Sequence, residues 1–170
     1  MGMDVHGLKP KENKAIGEFP TYAKYKKMEQ EDEYKGFQRK WKELDANEKL
    51  KEQYWKEEDE FQSTNKGTYF RNNCWWWRPL WNYCYHVADD LISAELHESG
   101  HSNSGAGLNG EDAKLLGEKL LKEVYNGGAK EFKKYHEEQE KDEEYKYPFD
   151  IDNVINFAEF CIESGGFKIC

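Results

Sequence analysis

Two of the three arginines in this 170-residue chain, Arg71 and Arg78, flank a run of indoles. The remaining basic residues, 22 of 25, are lysines, so an arginine pair in one segment asks for a reason. A guanidinium presents a planar fork of five donors that grips phosphate or carboxylate and stacks on rings. Trp75, Trp76, Trp77 and Trp81 supply the rings, and Asn72 and Asn73 add amide donors and acceptors. A flat apolar wall beside a bidentate cation can hold a nucleotide-like ligand, the base stacking while the phosphate meets the guanidinium. Consecutive tryptophans cannot all face one pocket: they alternate in extended chain and splay by ~100° each in helix. Pure core packing, with Arg71 and Arg78 paired to Asp89 or Asp90, is therefore an alternative. A hot spot for a partner protein is another, since Trp and Arg dominate such sites.

A second candidate is the loop 97–107. Its glycines at 100, 105 and 107 allow close backbone approach, and His101 and Asn103 bring side-chain polarity. It leads into a helix start, which favours anions, although Glu111 and Asp112 oppose that use. No GKS or GKT follows, so it is not a Walker loop. The candidate ligand-binding set is thus Arg71, Asn72, Asn73, Trp75, Trp77, Arg78 and Trp81, joined by His101 and Asn103. His86, His97 and His101 lie close in sequence, but there is no HExxH and no third ligand, so no metal is assigned. His86 with Asp89 or Asp90 is a conceivable acid–base pair that lacks a partnered nucleophile. The cysteines Cys74, Cys84, Cys161 and Cys170 form no CxxC pair, and free thiols are expected.

These residues need a scaffold, and the pattern indicates a mainly α fold with little or no β. The length suits one domain with a protruding arm. Charged residues make up 35% and the mean hydropathy is −1.10, while aromatics reach 15%, so the core is expected to be small and ring-built. Helices are predicted near 79–97, with Pro79 in the first turn, near 110–126, capped by Asn109 and ended by Gly127 and Gly128, and near 150–163, capped by Asp150. Segments 67–128 and 147–170 form the core. Residues 1–19 read as irregular or strand-like, and 167–170 as a short strand or docked tail. Residues 20–62 read as an inserted, highly charged α-hairpin broken near Asp45, with Phe37, Trp41 and Leu44 on one face and Leu50, Tyr54 and Phe61 continuing it. That aromatic stripe is a route to homo-oligomers. Residues 129–146 read as helical and charged.

The net charge of −9 argues against a general nucleic-acid binder. No apolar run approaches the ~20 residues of a membrane span, and residues 1–10 are polar, so the cytoplasm is the expected compartment.

Taken together, several motifs resemble an uncharacterised family of small phage and bacterial proteins. They are Asp4, Gly7 and Pro10; the run from Tyr69 through Arg71, Asn72 and Asn73 to Trp75, Trp77, Arg78, Pro79 and Leu80; His101, Asn103, Gly105, Gly107 and Leu108; and Tyr147, Pro148 and Phe149 through Phe157, Ala158 and Phe160 to Ser164, Gly165, Gly166, Phe167, Ile169 and Cys170. The resemblance spans 1–10, 67–128 and 147–170. It implies no established activity and places the arm 18–66 as an addition. Many members carry a Cys-rich, zinc-knuckle-like insert just before Tyr-Pro-Phe; residues 129–146 here hold no cysteine, so zinc is not implied by that route. Three functions are weighed. The first is a non-catalytic binding protein for a small anionic, nucleotide-like ligand, by analogy a phage sponge against host defence acting in the host cytoplasm. The second is a protein-interaction module or inhibitor using the Trp-rich surface. The third is a hydrolase or nuclease built on His86 or His101 with carboxylates.

Overall fold

The computed structural model describes residues 2–141 and 147–170. Residues 142–146, the end of the charged 129–146 stretch, lie outside the described residues. The chain divides into two compact units, residues 12–65 and residues 2–11 with 66–170.

The larger unit is helical but contains a four-stranded antiparallel sheet, where little or no β is expected from the sequence. The strands are β1 (Gly2–Gly7), β2 (Tyr69–Asn73), β3 (Gly107–Asn109) and β4 (Gly166–Ile169), in the order β2-β1-β4-β3. The segments read as strand-like, 1–19 and 167–170, hold β1 and β4, whereas β2 and β3 escape a local reading because they are short mid-chain segments that pair with those distant strands. Met3 and Val5 alternate into the core along β1, with Phe167 and Ile169 beside them. The β1–β2 register sets Asp4 opposite Arg71.

Helix α4 (Cys74–Val87) begins one and a half turns before Pro79, because Asn73 caps it by accepting from the backbone N–H groups of Trp75 and Trp76. Pro79 sits inside the helix and removes only the donor that would meet the Trp75 carbonyl. The helix predicted over 79–97 is interrupted after Val87, and Ser93 caps a separate α5 (Ala94–Ser99). The other two predicted core helices appear as α6 (Gly110–Asn126) and α8 (Ile151–Glu163), capped by Asn109 and Asp150. Gly127 ends α6 in the left-handed region at φ 91°, and α7 (Gly128–Gln139) follows. The core joins Trp77, Leu80, Trp81 and Cys84 of α4, Leu116 and Leu120 of α6, and Val154, Phe157, Phe160 and Cys161 of α8.

The smaller unit has three helices, α1 (Pro20–Glu31), α2 (Glu33–Asp45) and α3 (Glu48–Thr64), around Tyr22, Tyr25, Leu44, Tyr54 and Phe61. Here the aromatic stripe divides: Leu44, Tyr54 and Phe61 turn inward, while Phe37 remains 52% exposed. Lys40 is nearly buried, bonded to Glu29 at 2.9 Å and to the Tyr54 hydroxyl at 2.7 Å. Among the described residues, no helix is long and apolar enough to cross a membrane.

Candidate functional site

A helix presents residues three and four apart on one face. In α4 that rule separates the tryptophans. Trp77 and Trp81 are fully buried and stacked on each other, and their indole N–H groups donate to the carbonyls of Gly100 and His97. Both belong to the core, which corrects their assignment to a ligand surface: a buried indole with its donor satisfied has nothing left to offer a ligand. Trp75 and Trp76 remain 41% and 36% exposed.

Four other expected contacts have partners within the protein, although the Arg71 side chain stays 66% exposed. The Arg71 guanidinium lies 3.5 Å from Asp4, its cross-strand partner, which also accepts from the Tyr69 hydroxyl. Asn72 donates to the Asn153 side chain, and Asn73 is the α4 cap. Asn103 donates to the Gly2 carbonyl at 3.1 Å. These residues hold strands, cap and loop in place.

Arg78 behaves differently. Its guanidinium lies over the Tyr147 ring, 5.4 Å from the centroid, and donates to that residue's hydroxyl at 2.7 Å. Among the described residues, no carboxylate comes within ion-pair distance of it. Trp75 packs against the other participant, with ring centroids 4.9 Å apart and planes 30° from parallel. One turn along the same face stands Asn82, whose side-chain oxygen meets Nε2 of His97 at 2.9 Å and Nε2 of His101 at 3.1 Å. An amide oxygen can accept both, which fixes both imidazoles as Nε2–H tautomers and turns the Asn82 amide N–H group away from them. Tyr85 stacks on His97 at 4.4 Å and ends the row. The row Trp75, Arg78, Asn82 and Tyr85 is therefore one face of α4, walled by Tyr147 at one end and two histidines at the other.

Burial lowers the proton affinity of both histidines. For His101, neighbouring His97 and Arg78 lower it further. Its Nδ1 is buried and has no hydrogen-bond partner, so protonation would place an N–H where no acceptor waits. At neutral pH the charge of this face rests on Arg78. Beside it, a hollow of about 340 Å³ is lined by Trp76, Lys133, His136, Tyr147, Pro148 and Phe149 together with the carboxylates Glu137, Glu140 and Asp150. Glu140 is held by the Tyr147 backbone N–H, and Asp150 caps α8.

Asn82, Tyr147 and His97 are absent from the set chosen from sequence. Asn82 follows Arg78 by four residues, a signal the helical spacing carries. Tyr147 reaches Arg78 only through the tertiary fold. His86 stacks on Tyr83, lies tilted against Phe132 and makes no hydrogen bond to Asp89 or Asp90; Asp90 instead pairs with Lys119 at 2.5 Å. All four cysteines are free, and burial pushes the Cys84 and Cys161 thiols well up, away from thiolate chemistry. Among the described residues, no group of three or more His, Cys, Asp or Glu is arranged to hold a metal ion.

Comparison with known proteins returns no matching family model, no matching curated protein and no matching solved structure.

Proposed function

We propose that the outer face of α4 binds a small ligand joining an anionic group to an aromatic ring, of the nucleotide kind, without transforming it. One observation carries this reading: Arg78 is backed by an aromatic ring, engaged only by a phenol hydroxyl among the described residues, and set one helical turn from the outward amide of Asn82. The remaining guanidinium N–H groups and that amide form a donor set for phosphate or carboxylate oxygens. Trp75, Trp76 and Tyr147 supply ring surface for stacking, and the three carboxylates among the lining of the hollow beside Tyr147 suit a base better than a phosphate. The neutral histidines brace Asn82 and add no competing charge. Sequestration of a nucleotide signal, as a phage sponge would perform, is the role this reading proposes.

Titration calorimetry with mononucleotides, cyclic nucleotides and ADP-ribose tests it. At least one should bind, and Arg78→Ala should weaken it about tenfold to a hundredfold, as the loss of a charge-assisted contact of ~1.5–3 kcal/mol requires. Failure of the whole panel, or equal binding by the variant, defeats the reading.

The exposure of two adjacent indoles, Trp75 and Trp76, favours a second reading, a protein-docking surface. Capture of a partner that is lost in both Trp75→Ala and Trp76→Ala, with nucleotide binding absent, would select it.

A further inference from the structure

We propose that His97 and His101, together with the side-chain oxygen of Asn82, form a reversible binding site for one divalent transition-metal ion of the zinc or nickel kind. Two histidines four residues apart on one helical face are a chelating arrangement. A glycine between them is a weak helix former, yet Gly100 stays in the right-handed helical region, at φ −69° and ψ −8°. The turn of α5 therefore carries on to His101. The two rings stand 4.9 Å apart between centroids and 77° from parallel, and their Nε2 atoms converge on a single oxygen.

That oxygen lies 2.9 Å from Nε2 of His97 and 3.1 Å from Nε2 of His101. Ligand atoms held at about 2.0–2.1 Å from an ion stand ~2.9 Å apart at a right angle and ~3.4 Å apart at the tetrahedral angle. Both separations fall in that interval, so an ion can take the place of the two shared protons with small side-chain adjustments. Each imidazole then ligates through Nε2 and carries its proton on Nδ1, while the Asn82 amide N–H group stays turned outward. Two imidazoles and one amide oxygen suit zinc or nickel; calcium and magnesium take oxygen sets. Three protein ligands leave a fourth position for water or another ligand.

The site is held in place before any ion arrives. Trp81 and Trp77 donate their indole N–H groups to the carbonyls of His97 and Gly100, at 2.9 and 2.8 Å, which pins the α5 turn to α4. Tyr85 stacks on the His97 ring, 15° from parallel, and fixes its plane. Burial keeps both imidazoles unprotonated at neutral pH, with His97 and Arg78 adding to this for His101, so protons compete little with a metal. Two features limit the affinity. Nδ1 of His101 is buried without an acceptor, and missing outer support of this kind weakens a site about tenfold to a hundredfold. The Arg78 cation, which opposes a proton on His101, also opposes a dication. The ion therefore exchanges with solution and is no permanent structural zinc.

Calorimetric titration of the full chain with nickel(II) and with zinc(II), in the absence of any nucleotide, tests this separately from the ligand reading above. Saturable uptake of one ion per chain is expected. His97→Ala and His101→Ala should each abolish it, and Asn82→Ala should weaken it. Substitution of the exposed His6→Ala or Cys170→Ser should leave it unchanged. Circular dichroism confirms folding of each variant. In the wild type, nitrogen NMR of the imidazole rings should show His97 and His101 passing to the Nδ1–H form with a shift at Nε2 as zinc(II) is added, a readout that needs no variant. No saturable uptake up to ~1 mM, the weak end of specific binding, overturns the proposal. So does uptake indifferent to both histidine substitutions, uptake lost with Cys170→Ser, or imidazole shifts confined to other histidines.

Discussion

At the scale of single residues, His101 is the most informative group after Arg78. It shares the Asn82 oxygen with His97, and its second ring nitrogen is buried without a partner. Burial first, then His97 and Arg78, hold its proton affinity below the ordinary value of 6.5. The unfolded chain therefore binds this proton more readily than the folded one. The stabilisation is complete above 6.5 and is lost as pH falls from there toward the lowered folded value. Melting temperatures of the wild type should drop between pH 7 and 5.5. His101→Gln, which keeps a donor toward Asn82 but cannot take a proton, should show a shallower drop over that interval. Parallel curves for the two proteins would remove His101 from the titrating set. An anion at Arg78 would offset the cation that opposes His101 protonation, so bound nucleotide should also reduce the wild-type slope.

At the scale of elements, α4 is defined by what closes around its buried face. The C-terminal cap of α5, Gly100, accepts from Trp77, and a Cβ at that position would lie 2.3 Å from the Trp81 indole nitrogen. Gly100→Ala must displace either the indole or the α5 turn. Overpacking of this kind costs ~1–3 kcal/mol, so a lowered melting temperature and a shift in tryptophan emission are expected; an unchanged melt would mean that the turn yields freely. Gly100 reads in the sequence as a loop glycine that allows close backbone approach, but that two indoles make the approach depends on α5, a helix that the 79–97 reading merges into α4. The caps at Asn109 and Asp150 and the stop at Gly127 are legible because each is a local bargain between one side chain or one φ angle and its own helix end. The start of α4 is not, because Pro79 signals a first turn as strongly as Asn73 signals a cap. Arg78 is legible from composition alone. Its partner Tyr147 lies 69 residues away, and no local period reports a contact made through the tertiary fold. The same reason hides β2 and β3, whose strands pair with the two ends of the chain.

At the scale of the whole molecule, the two units have separate cores that share no residue. The larger one is built from aliphatic and aromatic packing across α4, α6 and α8. The smaller one is ring-lined and includes a buried cation, Lys40, held between Glu29, the Tyr54 hydroxyl and the faces of Trp41 and Tyr54. Stability in such a chain need not be uniform, since opening can occur unit by unit. Leu44 is fully buried in the smaller core and Leu116 in the larger. Truncating either leucine to alanine removes contacts worth ~2–5 kcal/mol, and the question is where the loss is felt. In hydrogen exchange followed by mass spectrometry, Leu44→Ala should speed exchange across α1, α2 and α3 while leaving α6 and α8 protected. Leu116→Ala should do the reverse. Because the proposed ligand face belongs to the larger unit, Leu116→Ala should also weaken nucleotide binding more than Leu44→Ala does. Exchange that rises throughout the chain for either substitution would show one cooperative body, and the ligand face would then depend on both cores.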